Sequence, residues 1–133
     1  MPKKSIIWVG GNDLKILRVD PELSPKIIPS SLSTIREIIK LSNRISEKTY
    51  ILTIPPIYTV PFYMKPFKST HVMLSSLEAL NHGIIQVAKE EGAEVIHCEQ
   101  VLHGMQTTDI LASDRIHLSE KAYEKIFSEI NND

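Results

Sequence analysis

Three short apolar runs that barely alternate with polar residues, SIIWV at 5–9, YILTI at 50–54 and VIHC at 95–98, constrain the fold most strongly. A strand with one wet face alternates, whereas an unbroken run rich in Ile, Val and aromatic residues is a strand covered on both faces. Between and after these runs the apolar residues recur at helical spacing. The order is therefore βαβαβα. Buried strands joined by amphipathic helices form a parallel sheet with right-handed crossovers, so the expected fold class is a three-layer α/β/α domain.

The punctuation supports the same division. Gly10 and Gly11 close the first strand in a tight turn. Residues 14–29, with Pro21, Pro25 and Pro29 and no sustained period, read as a loop. Thr34 and Glu37 fit a capping box, and Ile35, Ile38, Ile39 and Ile45 lie near one face, which predicts an amphipathic helix over 31–46. Pro55 and Pro56 stop the second strand, and a Pro-rich, aromatic loop runs on to Ser69. Met73, Leu77, Leu80, Ile84, Val87 and Ala88 mark a second helix, with Gly92 available for positive φ just past its end. After the third strand, residues 99–113 read as another loop. Ser119 is the expected N-cap of a last helix whose apolar face carries Ala122, Tyr123, Ile126, Phe127 and Ile130.

Composition narrows the function classes. A chain of 133 residues is one ordinary domain, taken here as 1–133. The net charge of −1 gives no reason to expect nucleic acid or an anionic membrane as partner; Lys3 and Lys4 are too few to form a basic footprint. The single cysteine, Cys98, cannot form an internal disulfide, and no secretory h-region leads the chain, so a cytoplasmic setting is expected. No apolar run is long enough to span a membrane.

In an open parallel sheet the functional crevice lies beyond the carboxyl ends of the strands. That rule selects GGND at 10–13, PPIY at 55–58 and DRIH at 114–117. Asn12, Asp114 and His117 can converge there although about a hundred residues separate them. A histidine serves as general base when a carboxylate accepts its Nδ1 proton, and Asp114 lies three residues before His117. An asparagine amide on a glycine-rich turn can donate to a developing oxyanion. The plainer readings stand beside these: D-x-x-H spacing arises often by chance, with Asp114 in an Asx turn and His117 packing before a helix, and GGND alone is more often a turn.

Together the blocks resemble those of SGNH (GDSL-type) hydrolases. IIWVGGND is similar to the strand and G-x-N-D block of that family, and SDRIHLSEKAYEKI to its D-x-x-H block and following helix. YILTIPPI and LNHGIIQVAKEEGAEVIHCEQV read like the middle strand, long helix and next strand. The resemblance implies a flavodoxin-like sheet and an acyl-enzyme esterase acting on a small-molecule ester without metal or organic cofactor. It implies that Asn12 is an oxyanion-hole donor on a turn shaped by Gly10 and Gly11, that His117 is the base, and that Asp114 orients it. One block is missing: no G-D-S carrying a nucleophilic serine occurs, and the chain starts where the family's third block should start. The nucleophile strand should lie beside residues 5–9. Its absence is expected to bare the edge between Ser5 and Val9 to self-association or a partner chain, either because this is the C-terminal portion of a longer hydrolase or because another chain supplies the strands.

Other candidates carry less. Ser113 lacks a G-x-S-x-G elbow and sits beside the orienting carboxylate. Cys98 is a conceivable thiolate, but a buried strand cysteine is usually inert. His71, His82, His97 and His103 show no metal-ligand spacing. Trp8, Tyr58, Phe62, Tyr63 and Phe67 read first as packing residues, with the loop 57–67 a candidate lining for an apolar substrate pocket. The rival functions are a non-catalytic remnant of the fold serving as a binding module, and a doubly wound domain binding phosphate through GGND. The second lacks both a phosphate fingerprint and a helix directly after the turn.

Overall fold

The structure, a computed structural model, describes residues 3–9, 21–55, 68–105 and 118–131. Strand β1 (Lys4–Ile7) leads through a 3-10 turn (Pro21–Leu23) to α1 (Ser24–Ile45), β2 (Lys48–Leu52), α2 (Lys68–Glu91), β3 (Glu94–Ile96), the short α3 (Cys98–Leu102) and α4 (Glu120–Asn131). The three strands form one sheet in the order β1-β2-β3. Both pairings are parallel, with Ile7 beside Ile51 and Ile51 beside Val95.

Successive residues of a strand point to opposite faces, and both faces here are covered. Ile7 and Ile51 meet Ile35 and Ile39 of α1 and Leu80 and Ile84 of α2 on one side. Tyr50 and Leu52 meet Cys98 and Leu102 of α3 and Ala122, Ile126 and Ile130 of α4 on the other. The expected three-layer α/β/α arrangement is present. Each of these fully buried aliphatic side chains contributes on the order of 1.5–3 kcal/mol of transfer free energy. Between α1 and α2 the packing is close: a Cβ on Gly83 would lie 2.5 Å from Cδ1 of Leu32. At the outer ends of the same helices Arg36 bridges Glu90 at 2.6 Å and Glu91 at 2.7 Å.

Several boundaries differ from the sequence-based expectation. The first helix begins at Ser24, not 31, so part of the expected loop 14–29 is helical and Thr34 and Glu37 sit in mid-helix. Pro25 occupies the first turn, where an N–H has no helical partner anyway, and Pro29 forfeits one bond near that end. Packing of Leu23, Ile27 and Ile28 on the core offsets this loss. The strands start and end about two residues early at 4–7 and 48–52, and β3 stops at Ile96, leaving Cys98 to open α3 inside the expected loop 99–113. Tyr123 and Phe127 are partly exposed rather than buried with Ala122, Ile126 and Ile130. The second helix buries Leu77, Leu80, Ile84, Val87 and Ala88 as expected, and Gly92 has φ 76°; the Met73 side chain lies outside the described residues.

Candidate active site

A parallel sheet brings all its carboxyl ends to one edge. At this edge the described chain supplies Trp8 and Val9 after β1, Thr53 to Pro55 after β2, and His97 and Cys98 after β3. Side chains fix it. The Thr53 N–H donates to the Ile96 carbonyl at 3.0 Å, and the Cys98 N–H donates to Thr53 Oγ1 at 2.9 Å, so one hydroxyl ties the end of β2 to the start of α3. Asn81 of α2 acts as a strand surrogate. Its Oδ1 accepts from the Ile54 N–H at 2.7 Å and its Nδ2 donates to the Ile54 carbonyl at 2.8 Å. Both backbone groups of the residue before the Pro55–Pro56 stop are thereby satisfied at a point where the ladder has ended. Sequence reasoning missed Thr53 and Asn81, because a threonine ending an apolar run and an asparagine in a helix carry no local signal of these long-range bonds.

The residues singled out from sequence, Gly10, Gly11, Asn12, Ser113, Asp114 and His117, lie outside the described residues, as does the loop 57–67. Their described neighbours do meet. Trp8, two residues before Gly10, and Leu118, directly after His117, pack on the same core cluster. The Trp8 indole stands edge-on to Tyr123 in the first turn of α4, with ring centroids 5.5 Å apart. Ser119 caps that helix as expected: its Oγ accepts from the Ala122 N–H at 3.1 Å, which fixes the start of α4 two residues after His117.

Cys98 is fully buried, and burial pushes its thiol up to about 11, against a weaker opposing hydrogen bond from Thr53. It is a neutral thiol at physiological pH and a poor nucleophile. Among the described residues no group of three or more His, Cys, Asp or Glu is arranged to hold a metal, and no helix is long and apolar enough to cross a membrane.

A parallel three-layer sheet whose strand ends gather the G-x-N-D and D-x-x-H flanks defines the class as an α/β hydrolase-type domain. The profile of the GDSL-like lipase/acylhydrolase family matches residues 2–125, and the chain belongs to that family. Among curated proteins no sequence matches it. Solved structures do. An acetylxylan esterase from Geobacillus stearothermophilus matches with TM-score 0.68 and 15% identity over 98% of this chain and 58% of its own. An alpha/beta hydrolase enzyme from the metagenome of Lake Arreo, Spain, matches with TM-score 0.63 and 17% identity over 98% of this chain and 59% of its own. The chain thus spans under two thirds of the length of either. Catalytic mutants of the Geobacillus esterase replace a serine, an aspartate and a histidine, the last two three positions apart in that protein.

Proposed function

We propose that this chain is the ester-hydrolase domain of an SGNH-type serine esterase, in which His117 is the general base, Asp114 orients it and Asn12 donates to the oxyanion from the Gly10–Gly11 turn. The observation that carries the reading is the meeting of Trp8 and Leu118 on one cluster at the carboxyl edge of the sheet, because it anchors both motif segments at the same place. The Asp114 to His117 spacing equals the separation of the aspartate and histidine replaced in the catalytic mutants of the matched esterase.

In this mechanism His117 takes the serine Oγ proton as the oxygen attacks the ester carbonyl. The oxyanion is held by Asn12, and the C–O bond breaks as His117 returns the proton to the leaving alcohol. Water then attacks the acyl-enzyme with His117 again as base, releasing the carboxylic acid and the free serine. The serine itself is the open part of the reading, since the chain has no G-D-S block. That gap supports a second reading, a fold retained for binding without turnover.

Intact-mass analysis after exposure to a fluorophosphonate, with hydrolysis of p-nitrophenyl acetate followed in parallel, separates the two. A serine adduct and turnover, both lost in His117→Ala, are the expected result. Neither adduct nor turnover from the folded chain would reject catalysis by these residues alone and favour the binding module.

A further inference from the structure

Eight large apolar side chains are exposed among the described residues, and six of them surround β1: Ile6, Val9, Leu41, Ile45, Tyr123 and Phe127. The strand is an edge of the sheet and pairs only with β2. The Lys48 N–H donates to the Lys3 carbonyl at 2.9 Å, which sets the phase of the ladder. Odd-numbered residues of β1 turn their backbone groups to β2, and Ile6 and Trp8 turn theirs to the open side. Ile6 and Trp8 also share the α4 face of the sheet. Beside them Tyr123 and Phe127 stack with centroids 6.4 Å apart, next to a hollow of ≈ 620 Å³ on the outer flank of α4. On the opposite face Leu41 and Ile45 lie on the side of α1 turned away from α2, since Arg36 and Asn43, which bond to α2, fall on the opposite side of the helical wheel. Both layers therefore carry apolar shoulders beyond the same strand edge.

We propose that this edge is a self-association surface on which a second copy of the chain lays its own β1 antiparallel, about a two-fold axis at Ile6, to form a continuous six-stranded sheet (three strands from each copy). The edge is complementary to itself. With Ile6 opposite Ile6, the outward-bonding residues meet outward-bonding residues, and Trp8 of each copy comes opposite Lys4 of the other. The Lys4 ammonium, which donates to the Ile130 carbonyl at 2.9 Å and lies 5.9 Å from the Tyr50 ring, is held on the α4 face, where an indole can accept it as a cation–π partner. The same axis sets the Tyr123–Phe127 flank of α4 beside its copy and the Leu41–Ile45 flank of α1 beside its own, so strand and shoulders are covered at once. An isologous contact of this kind closes on itself and leaves no further edge at β1.

Sedimentation equilibrium of the purified chain over a wide concentration series tests this. The expected result is a dimer that Ile6→Lys, which sets like charges face to face at the axis, weakens by at least about tenfold. Phe127→Glu on the helix flank should weaken it independently, and Leu74→Lys, away from the edge on α2, should leave it unchanged. Circular dichroism establishes that each variant is folded, and amide exchange at Ile6 should slow as the chain concentration rises. A folded monomer throughout would overturn the proposal and leave the edge to a strand from a different polypeptide. A dimer indifferent to both edge variants would overturn it equally.

Discussion

Thr49 shows at the scale of one residue how a strand buried on both faces penalises a hydroxyl. Its Oγ1 is buried without a hydrogen-bond partner, although the neighbouring hydroxyls of Ser5 and Ser46 bond to each other. Thr49→Val replaces an unsatisfied polar atom with a methyl group of similar size, and urea unfolding should show a gain of about 1 kcal/mol. Asn81→Ala goes the other way. It strips the partners from both backbone groups of Ile54 and should cost about 1–3 kcal/mol by the same measurement, with faster amide exchange at Ile54. Cys98 couples to pH. Its thiol titrates near 11 in the folded chain against 9.0 when unperturbed, so below pH 9 both states hold the proton and the stabilisation is complete. Between these values the unfolded chain ionises first and stability falls as pH rises. Urea midpoints at the two ends of that window should differ less in Cys98→Ala than in the parent. None of these roles is legible in the sequence, because each depends on partners 27 to 45 positions away.

Between elements, the contact of α1 with α2 turns on Gly83 and Leu32. Glycine in mid-helix costs about 1 kcal/mol relative to alanine, a cost accepted here for close approach of the helices. A double-mutant cycle should show it: Gly83→Ala is expected to be less favourable by about 1 kcal/mol or more beside Leu32 than beside Leu32→Ala, as read from unfolding midpoints. Helix positions were legible from the 3.6-residue recurrence of Leu77, Leu80, Ile84 and Val87, and from the Ser119 cap and Gly92. The start of α1 was not. Three prolines in 21–29 argue locally against helix, and only the packing of Leu23, Ile27 and Ile28 on the sheet overrides them.

Across the whole molecule, two cores on opposite faces share one sheet, with Ile51 committed to one and Tyr50 and Leu52 to the other. Ile39→Ala and Ile126→Ala each remove a fully buried side chain and should each cost about 2–5 kcal/mol. Because β2 belongs to both cores, each variant should lower a single common transition followed by Trp8 fluorescence and by far-UV circular dichroism; two separated transitions would show that the layers unfold independently. The sequence by itself determined the α/β class, the parallel order and the family motifs, since strand burial, helical period and the G-x-N-D and D-x-x-H spacings are local properties of the chain. Only the tertiary structure decided that the carboxyl edge is tied by Thr53 and Asn81, that Trp8 meets Tyr123, and that exposed apolar groups gather around β1. Those features arise when distant segments exclude water from one another, and no single segment encodes which neighbour it will find.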